Sequence, residues 1–292
     1  MRVTILCRVD LVPYIPPMPE LAEVEYFRRR WDVGLGQKIL GVKLHAEKRI
    51  FRGNDLESLH RTLPGARLLS SEARGKQMLF RFSNRTWLGI HLGMTGEMRC
   101  EPAGFTTGKH DHLVLYQRKQ ALVFSDARQF GRVLFHHGEA EPEWWKRLPP
   151  PLTSSAFTLE RLWTFLQRHG RAPIKAVLLR QDGFPGIGNW MADEILWRAK
   201  IHPARRAARI AEREAKLLWR AIRFVCDGAL RIVTKDYSDP PPSWLFRHRW
   251  EKGGQCPKDR EPLERATMGG RTTAWCGKCQ PFSSRRRGEA SR

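Results

Sequence analysis

The sequence lacks any apolar run long enough to cross a bilayer, which takes about 20 consecutive residues. The segment 1–17 has a short apolar part, but Arg8 and Asp10 interrupt it, so it is a poor secretory signal. We interpret 1–17 as an extension that arises from the choice of start site or is removed from the chain. We therefore expect no membrane partner.

Cysteine is scarce as well. Six cysteines in 292 residues do not make the dense disulfide framework of a small secreted domain. Three of them, Cys256, Cys276 and Cys279, cluster near the C-terminus. Such a cluster indicates a metal site in a reducing compartment.

Acidic residues are few beside the basic ones: 30 Asp and Glu stand against 52 Lys and Arg, a formal charge of +22. This balance favours a polyanionic partner, and nucleic acid is the first candidate. An anionic membrane surface is an alternative, although no long basic amphipathic helix stands out. A generally basic protein without such a ligand is another, and a ribosomal or RNA-binding role has only the charge in its favour.

Hydrophobic residues make up 41% of the chain, enough for a core. Before residue 136 short apolar runs alternate with turns, as strands do; the six clearest are QKILGVKLH, KQMLFRFSN, TWLGIHL, DHLVLYQ, ALVFSD and GRVLFHH. After the proline-rich stretch 148–155 the period becomes helical, in TLERLWTFLQRHG, APIKAVLLRQ, NWMADEILWRAKI and IAEREAKLLWRAIRFVCDGAL. We predict an α+β protein with a β-sandwich domain over 18–148, a helical domain over 149–246, a ribbon over 247–281 and a disordered basic tail over 282–292.

The stretch 174–203 predicts two helices joined by the tight turn Gly186-Ile187-Gly188-Asn189. Glycines let backbone approach backbone, and Asn189 is placed to cap the second helix. Because amides at a helix N-terminus bind phosphate, this turn is a candidate clamp for a DNA backbone. The alternative is an ordinary connection between two core helices.

The stretch that begins at Met18 has the character of a chain start. If Met18 is the initiator and is trimmed, Pro19 carries a free amine whose pKa, at roughly 7.7–8.0, leaves much of it neutral near pH 7. A neutral amine can attack a sugar carbon, and Glu20 beside it can move protons. The alternative is a helix start alone, with Val24, Phe27 and Trp31 on one side.

Several motifs, in order from Met18 to Gln280, together resemble the formamidopyrimidine-DNA glycosylase family. They are PELAEVE, GKQMLF, HLGMTG, KHDHLVL, DARQFGR, PIKAVLL, the whole of 174–203 and GGRTTAWCGKCQ. The resemblance implies a helix–two-turn–helix motif within 174–203 and a zinc-finger hairpin near the C-terminus. It also implies a monomeric repair enzyme of the bacterial cytosol that acts on damaged duplex DNA.

The resemblance implies a mechanism centred on Pro19. Its nitrogen attacks C1′ of a flipped-out nucleotide, the damaged base leaves, and the resulting iminium drives elimination that breaks the strand. Glu20 is the expected acid/base, Glu23 positions the nucleotide, and Lys76 holds phosphate and assists elimination. PELAEVE favours oxidised purines, such as 8-oxoguanine and formamidopyrimidines, as substrates.

The resemblance also implies a set of DNA-contacting residues. Met94, Arg128 and Phe130 are expected to fill the gap that a flipped nucleotide leaves, and their apolar and planar side chains suit that task. Taken singly, Met94 or Phe130 reads as a core residue. Asn189 and Arg271 are expected to contact phosphates, and Lys175 is expected to contact the DNA.

The C-terminal ribbon departs from the family pattern of four cysteines. Cys256, Cys276 and Cys279 are in register, but Asp259 stands where the second cysteine is expected. Zinc accepts carboxylate oxygen, so these four residues are the predicted ligands of one structural zinc ion. His248 is a substitute ligand, and a hairpin without zinc, packed by Trp250, Leu263 and Trp275, is the alternative.

Two further alternatives remain open on the sequence. The segment GALRIVTKDYSDPPPSWLFRHRW does not resemble the stretch that precedes the family's base-capping loop, so oxidised pyrimidines are an alternative substrate class. If the chain starts at Met1, the nitrogen of Pro19 is acylated and not nucleophilic. In that case a catalytically silent protein that binds damaged DNA is the alternative.

Overall fold

The N-terminal part of the protein consists of two four-stranded antiparallel sheets. The computed structural model describes residues 18–250 and 253–282. In chain order the sandwich strands are β1 (Gly41–Leu44), β2 (Leu68–Arg74), β3 (Gln77–Phe82), β4 (Thr86–His91), β5 (Gly96–Pro102), β6 (Asp111–Tyr116), β7 (Gln120–Asp126) and β8 (Arg132–His137). The sheet orders are β1-β6-β7-β5 and β2-β3-β4-β8.

The two sheets pack face to face around one apolar core. Alternate residues of β3 and β4 from one sheet, such as Phe80 and Ile90, share this core with Leu115 of β6 and Phe124 of β7 from the other. The period of two therefore sends one face of each strand inward, as the sequence indicated. The predicted N-terminal β-sandwich is confirmed.

Strands β2 and β5 are not among the six runs singled out in the sequence. Each is an edge strand of its sheet, and each carries several exposed or half-buried polar side chains. Both strands are rich in polar residues, and β2 fully buries only its first residue, so their apolar alternation is weak. The other two edge strands, β1 and β8, were among the predicted runs.

Most of the helices lie in the C-terminal part of the chain. In chain order the helices of the described residues are α1 (Leu21–Arg29), α2 (Leu56–Thr62), α3 (Glu143–Lys146), α4 (Leu159–Arg168), α5 (Ile174–Leu178), α6 (Asn189–Ala199) and α7 (Glu212–Asp236). Helices α4 to α7 enclose a second core built around residues such as Trp190 and Ile222. All four helices predicted after residue 155 are present, and no helix of the described chain could span a membrane.

Helix α1 joins the two cores, because Ala22 packs into the helical core and Val24 into the sandwich core. It begins directly after Glu20, as the sequence predicted, but it ends at Arg29, before the buried Trp31. Near the C-terminus β9 (Leu263–Met268) and β10 (Arg271–Cys276) form an antiparallel hairpin. The predicted α+β class is confirmed, whereas the extension 1–17 and most of the predicted tail lie outside the described residues.

Candidate functional site

Glu20 joins the beginning of α1 to the turn before α6. Its Oε2 accepts hydrogen bonds from the backbone N–H groups of Gly188 (3.0 Å) and Met191 (3.1 Å), and its Oε1 accepts one from Trp190 (3.0 Å). The carboxylate is 2% exposed. A negative charge at a helix N-terminus satisfies donors that have no partner inside the helix and is favoured by the helix dipole.

The sequence predicted a different cap. Asn189 is the first residue of α6, the residue before it makes no side-chain capping bond, and the side chain of Asn189 donates instead to the carbonyl of Thr272 at 2.9 Å. The prediction that Asn189 caps α6 is therefore wrong. A local sequence pattern favours a local cap, and it does not register a carboxylate that lies about 170 residues away along the chain.

Two glycines allow this close assembly. A Cβ on Gly188 would lie 2.2 Å from Cδ of Glu20, and a Cβ on Gly75 would lie 2.8 Å from Cβ of Pro185. Gly75 also has φ +63, in the left-handed region that favours glycine. The β2–β3 turn, which carries Lys76, therefore packs directly on the turn that precedes α6.

Glu23 and Lys76 complete a buried charged group around Glu20. Glu23 accepts hydrogen bonds from the backbone N–H of Glu20 (3.2 Å) and from Nε1 of Trp190 (3.0 Å). Burial raises the pKa of Glu20, against the opposing charge of Lys76. Burial and the neighbouring charge of Glu20 raise the pKa of Glu23 to about 7.

Lys76 lies among charges of both signs. Burial lowers the pKa of its amine, the carboxylates of Glu20 and Glu23 oppose that shift, and the charge of Arg271 adds to it. Its Nζ lies 4.0 Å from Sδ of Met18, next to the buried Pro19. The side chains predicted for catalysis thus meet in one place although they come from separate parts of the chain.

The loop that follows β4 and the loop between β7 and β8 carry the three predicted gap-filling residues. The hydroxyl of Thr95, beside Met94, donates to Oδ1 of Asp126 at 2.7 Å, and the backbone N–H of Arg128 donates to the hydroxyl of Thr95 at 3.3 Å. These bonds hold the two loops together. The guanidinium of Arg128 lies 4.8 Å from the ring centroid of Phe130, and that ring is 47% exposed.

The exposure of Phe130 decides whether it belongs to the core. Met94 is half-buried, whereas Arg128 and Phe130 are exposed. Phe130 is therefore not a core residue, which was the alternative interpretation. An exposed, stacked Arg–Phe pair on a strongly basic protein is suited to contact with nucleotide bases.

His91 was missed in the sequence although it stands in the HLGMTG run. Its Nδ1 accepts a hydrogen bond from the backbone N–H of Gly93 at 3.0 Å, which shapes the loop that carries Met94. In the sheet it lies opposite Gln77, the neighbour of Lys76. Burial, and then the charge of Lys76, lower the pKa of His91 to about 4, so the imidazole is neutral at physiological pH.

Lys175 is fully buried, which the sequence did not predict. Its ammonium donates to the carbonyl of Asn189 at 2.6 Å and forms an ion pair with Asp193. A direct DNA contact would require Lys175 to leave this pair, so that contact stays a prediction. Arg271, in contrast, is exposed at the first position of β10.

Four side chains near the hairpin form a cluster with the composition expected for a metal site. The ligand atoms of Cys256, Asp259, Cys276 and Cys279 all lie within 4.8 Å of one another. Tetrahedral zinc with Zn–S bonds of about 2.3 Å places two sulfurs about 3.8 Å apart, and Sγ of Cys256 and Sγ of Cys279 are separated by 3.9 Å. The four residues therefore fit zinc.

The surroundings of the cluster favour the same ligand set. Nε1 of Trp197 donates to Sγ of Cys256 at 3.4 Å, the kind of bond that orients a metal-binding sulfur. His248 lies outside the cluster, with its Nε2 2.9 Å from the carbonyl oxygen of Pro242. Of the residues that the zinc-free alternative names, Leu263 and Trp275 are buried and Trp250 is 38% exposed.

Comparison with known proteins gives a consistent result. Residues 18–133 match the family model of the formamidopyrimidine-DNA glycosylase N-terminal domain, and residues 148–238 match that of the helix–two-turn–helix domain of the same glycosylase. A formamidopyrimidine-DNA glycosylase of Thermus thermophilus is 36% identical over 276 residues, covering 90% of this chain and 98% of that protein. One from Thermomicrobium roseum is 33% identical over 289 residues, covering 91% and 100%.

Solved structures show the same relationship. The MutM (Fpg) protein of Thermus thermophilus has a TM-score of 0.75 at 32% identity, with 91% of this chain and all of that chain covered. A MutM bound to DNA containing carbocyclic 8-oxo-G has a TM-score of 0.81 at 27% identity, with 90% and 100% covered. The chain therefore belongs to the formamidopyrimidine-DNA glycosylase family and is a DNA glycosylase.

Proposed function

We propose that this protein removes oxidised purines, such as 8-oxoguanine and formamidopyrimidines, from duplex DNA and then cleaves the strand as an AP lyase. The observation that carries the proposal is the docking of Pro19 and Glu20 on the turn before α6, with Lys76 beside them. This arrangement brings an amine, an acid and a cation together at the turn before α6, whose backbone amides the acid itself holds.

The damaged nucleotide must leave the duplex before chemistry can reach its sugar. Met94, Arg128 and Phe130 would occupy the gap it leaves, and the exposed Arg128–Phe130 pair supports this role. Asn189 and Arg271 would bind the backbone on either side. Structures in the family support the substrate class, since similar proteins were solved with DNA containing carbocyclic 8-oxo-G and with DNA containing an AP site.

The amine of Pro19 attacks C1′, and the C1′–N9 bond breaks with its electron pair leaving on the base, which takes up a proton supplied by Glu20. The attacking nitrogen then loses its proton and the C1′–O4′ bond breaks, with O4′ taking up a proton, so that the sugar ring opens and an iminium joins Pro19 to C1′. This iminium acidifies the 2′ hydrogens. Loss of one of them expels the 3′ phosphate, and a second elimination expels the 5′ phosphate. Water then hydrolyses the iminium and restores the free amine. The raised pKa of Glu20 supports its role as the acid.

Zinc bound by Cys256, Asp259, Cys276 and Cys279 would supply a structural cross-link, not a step of the reaction. The hairpin that carries Arg271 has only a small apolar cluster, which includes Leu245 and Leu263. A metal there would stabilise the position of the hairpin relative to α6. The separation of 3.9 Å between Sγ of Cys256 and Sγ of Cys279, close to that of a tetrahedral site, supports this assignment.

The decisive experiment is covalent trapping with borohydride. A chain that starts at Met18, with that methionine removed, should become linked to an 8-oxoguanine duplex, because reduction captures only an iminium. Peptide mapping should place the adduct on Pro19. The chain that starts at Met1, verified intact by mass, is the matched control and should not trap, since an acylated nitrogen has no free lone pair.

Three outcomes would contradict parts of the proposal. Equal trapping by the intact chain would exclude Pro19 and make Lys76 the nucleophile, a role that its lowered pKa would support. Binding without trapping by either chain would indicate a silent damaged-DNA-binding protein. Faster excision from duplexes with an oxidised pyrimidine than from those with 8-oxoguanine would overturn the purine assignment.

A further inference from the structure

The carboxylate of Asp193, on α6, is a buried junction between three parts of the chain. Its Oδ2 accepts hydrogen bonds from Nε (2.9 Å) and Nη2 (2.6 Å) of Arg249 and from the backbone N–H of Ala274 (3.2 Å), while its Oδ1 pairs with Lys175. Asp193 is 1% exposed and Arg249 is 3% exposed. None of these bonds was foreseen from the sequence.

The carbonyl of Thr272 is a second junction in the same place. It accepts hydrogen bonds from Nδ2 of Asn189 at 2.9 Å and from Nη2 of Arg249 at 3.3 Å. Thr272 directly follows Arg271, so β10 is held immediately beside the exposed guanidinium. Asn189 and Arg271, both predicted to contact phosphate, are thus linked through the carbonyl of Thr272, which Arg249 also binds.

Stability alone is a poor explanation for this network. Two cations and one carboxylate are removed from water, and a buried ion pair often contributes no more to stability than well-packed apolar residues would. A guanidinium does, however, donate in fixed directions, so it specifies geometry. The arrangement therefore favours a role in orientation.

We propose that Arg249, held by Asp193, is a positioning residue that sets the hairpin relative to α6 so that Asn189 and Arg271 bind one stretch of DNA backbone. This inference rests on the proposed function, because it assumes that both side chains contact phosphate. Arg249 is only 3% exposed, so it offers a ligand almost no surface. It acts through the carbonyl of Thr272, which it contacts directly, and through Asp193, which also accepts from the backbone N–H of Ala274.

The test measures binding of an 8-oxoguanine duplex by Arg249→Met across a range of salt concentrations. The matched control is Arg247→Met, which removes the same charge from an exposed side chain two residues away. Arg249→Met should weaken binding by about ten- to a hundredfold, the size of one lost charge-assisted contact. The control should change it by less than threefold. The salt slope of Arg249→Met should fall by about one, since one phosphate contact is lost.

A double-substitution cycle separates positioning from general loss of structure. In an Arg271→Ala background, Arg249→Met should have little further effect, because the contact it supports is already gone. Arg249→Lys restores the positive charge without the fixed donor directions of a guanidinium, so its binding to the duplex should remain weak. If Arg249→Met does not fold, as judged by thermal melting, Arg249→Gln keeps one donor to Asp193 and takes its place in the cycle.

Additive effects of the two substitutions, full rescue by Arg249→Lys, or an unchanged salt slope would each overturn the inference. These outcomes differ from failure of the proposed function. In that case the unsubstituted protein would itself show no salt-dependent binding to the duplex, and the substitutions could not weaken that binding further.

Discussion

Glu20 carries two roles that one substitution can separate. Glu20→Gln keeps the shape of the side chain, so its carbonyl oxygen can still accept the bonds from Gly188 and Met191. The amide NH2 would then face the backbone N–H of Trp190, which now donates to Oε1 at 3.0 Å. That donor would lose a charged acceptor in a buried position, at a cost of about 1.5–3 kcal/mol.

The expected loss of stability follows from that figure. For large domains each kcal/mol lowers Tm by about 2–4 °C, so the variant should melt roughly 3–12 °C below the parent. Glu141→Gln is the matched control, since that carboxylate is exposed. It should leave Tm within about 1 °C, because surface substitutions away from special features are nearly neutral.

Excision should respond more strongly than stability. Single-turnover excision of 8-oxoguanine by Glu20→Gln, measured well below its Tm, should fall by about a hundred- to ten-thousandfold, the usual contribution of general acid/base catalysis. Cleavage of a duplex with a preformed abasic site should fall less, because no base has to be protonated there. Duplex affinity should stay within a fewfold, since the basic surface is unchanged.

Each part of this reasoning has its own refutation. Excision within tenfold of the parent would show that Glu20 is not the acid. An unchanged Tm would show that the bond to Trp190 does not stabilise the turn. Equal losses on 8-oxoguanine and abasic duplexes would indicate a collapsed site instead of a missing proton donor.

Three further predictions concern the same region and the hairpin. The pKa of Glu23 is raised to about 7 in the folded protein, so its contribution to stability is present below about pH 4.5 and is lost as pH rises through 7. The Tm of Glu23→Gln should therefore rise relative to that of the parent between pH 5 and pH 8. A constant difference in Tm would contradict this. Gly188→Ala should displace the carboxylate beside it and lower both Tm and excision, whereas Gly104→Ala, where an added Cβ meets nothing within 4 Å, should change neither. Metal analysis should find about one zinc per chain, and Asp259→Cys should retain the zinc longer against a chelator. A metal-free protein that folds and cleaves DNA normally would establish the zinc-free alternative.

Much of the fold was accessible from the sequence because its signals are local. Period-two runs predicted the central strands of both sheets, and helical periodicity predicted α4 to α7. The edge strands β2 and β5 were missed because their many polar residues weaken their apolar alternation. The helix start at Glu20 was also predicted, but the partner of Glu20 was not.

The candidate site shows the same division. The motifs and their order identified Pro19, Glu20, Lys76 and Arg271 as candidate functional residues. Three cysteines in register with Asp259 indicated the metal cluster. The sequence assigned Asn189 to a cap and Lys175 to DNA contact, and in neither case did it indicate the carboxylate that the structure places there. Glu20 occupies the cap position, and Asp193 holds Lys175 in the interior.

What the sequence by itself determined, then, was the set of elements, their order and the chemistry they can carry, because periodicity and motif spacing depend on neighbours along the chain. Only the tertiary structure decided which buried charges face each other. Glu20 reaches α6 from about 170 residues away, and Arg249 reaches Asp193 across 56. A buried charge must find a partner wherever the packed chain supplies one, and that choice is made by three-dimensional contact and not by sequence distance.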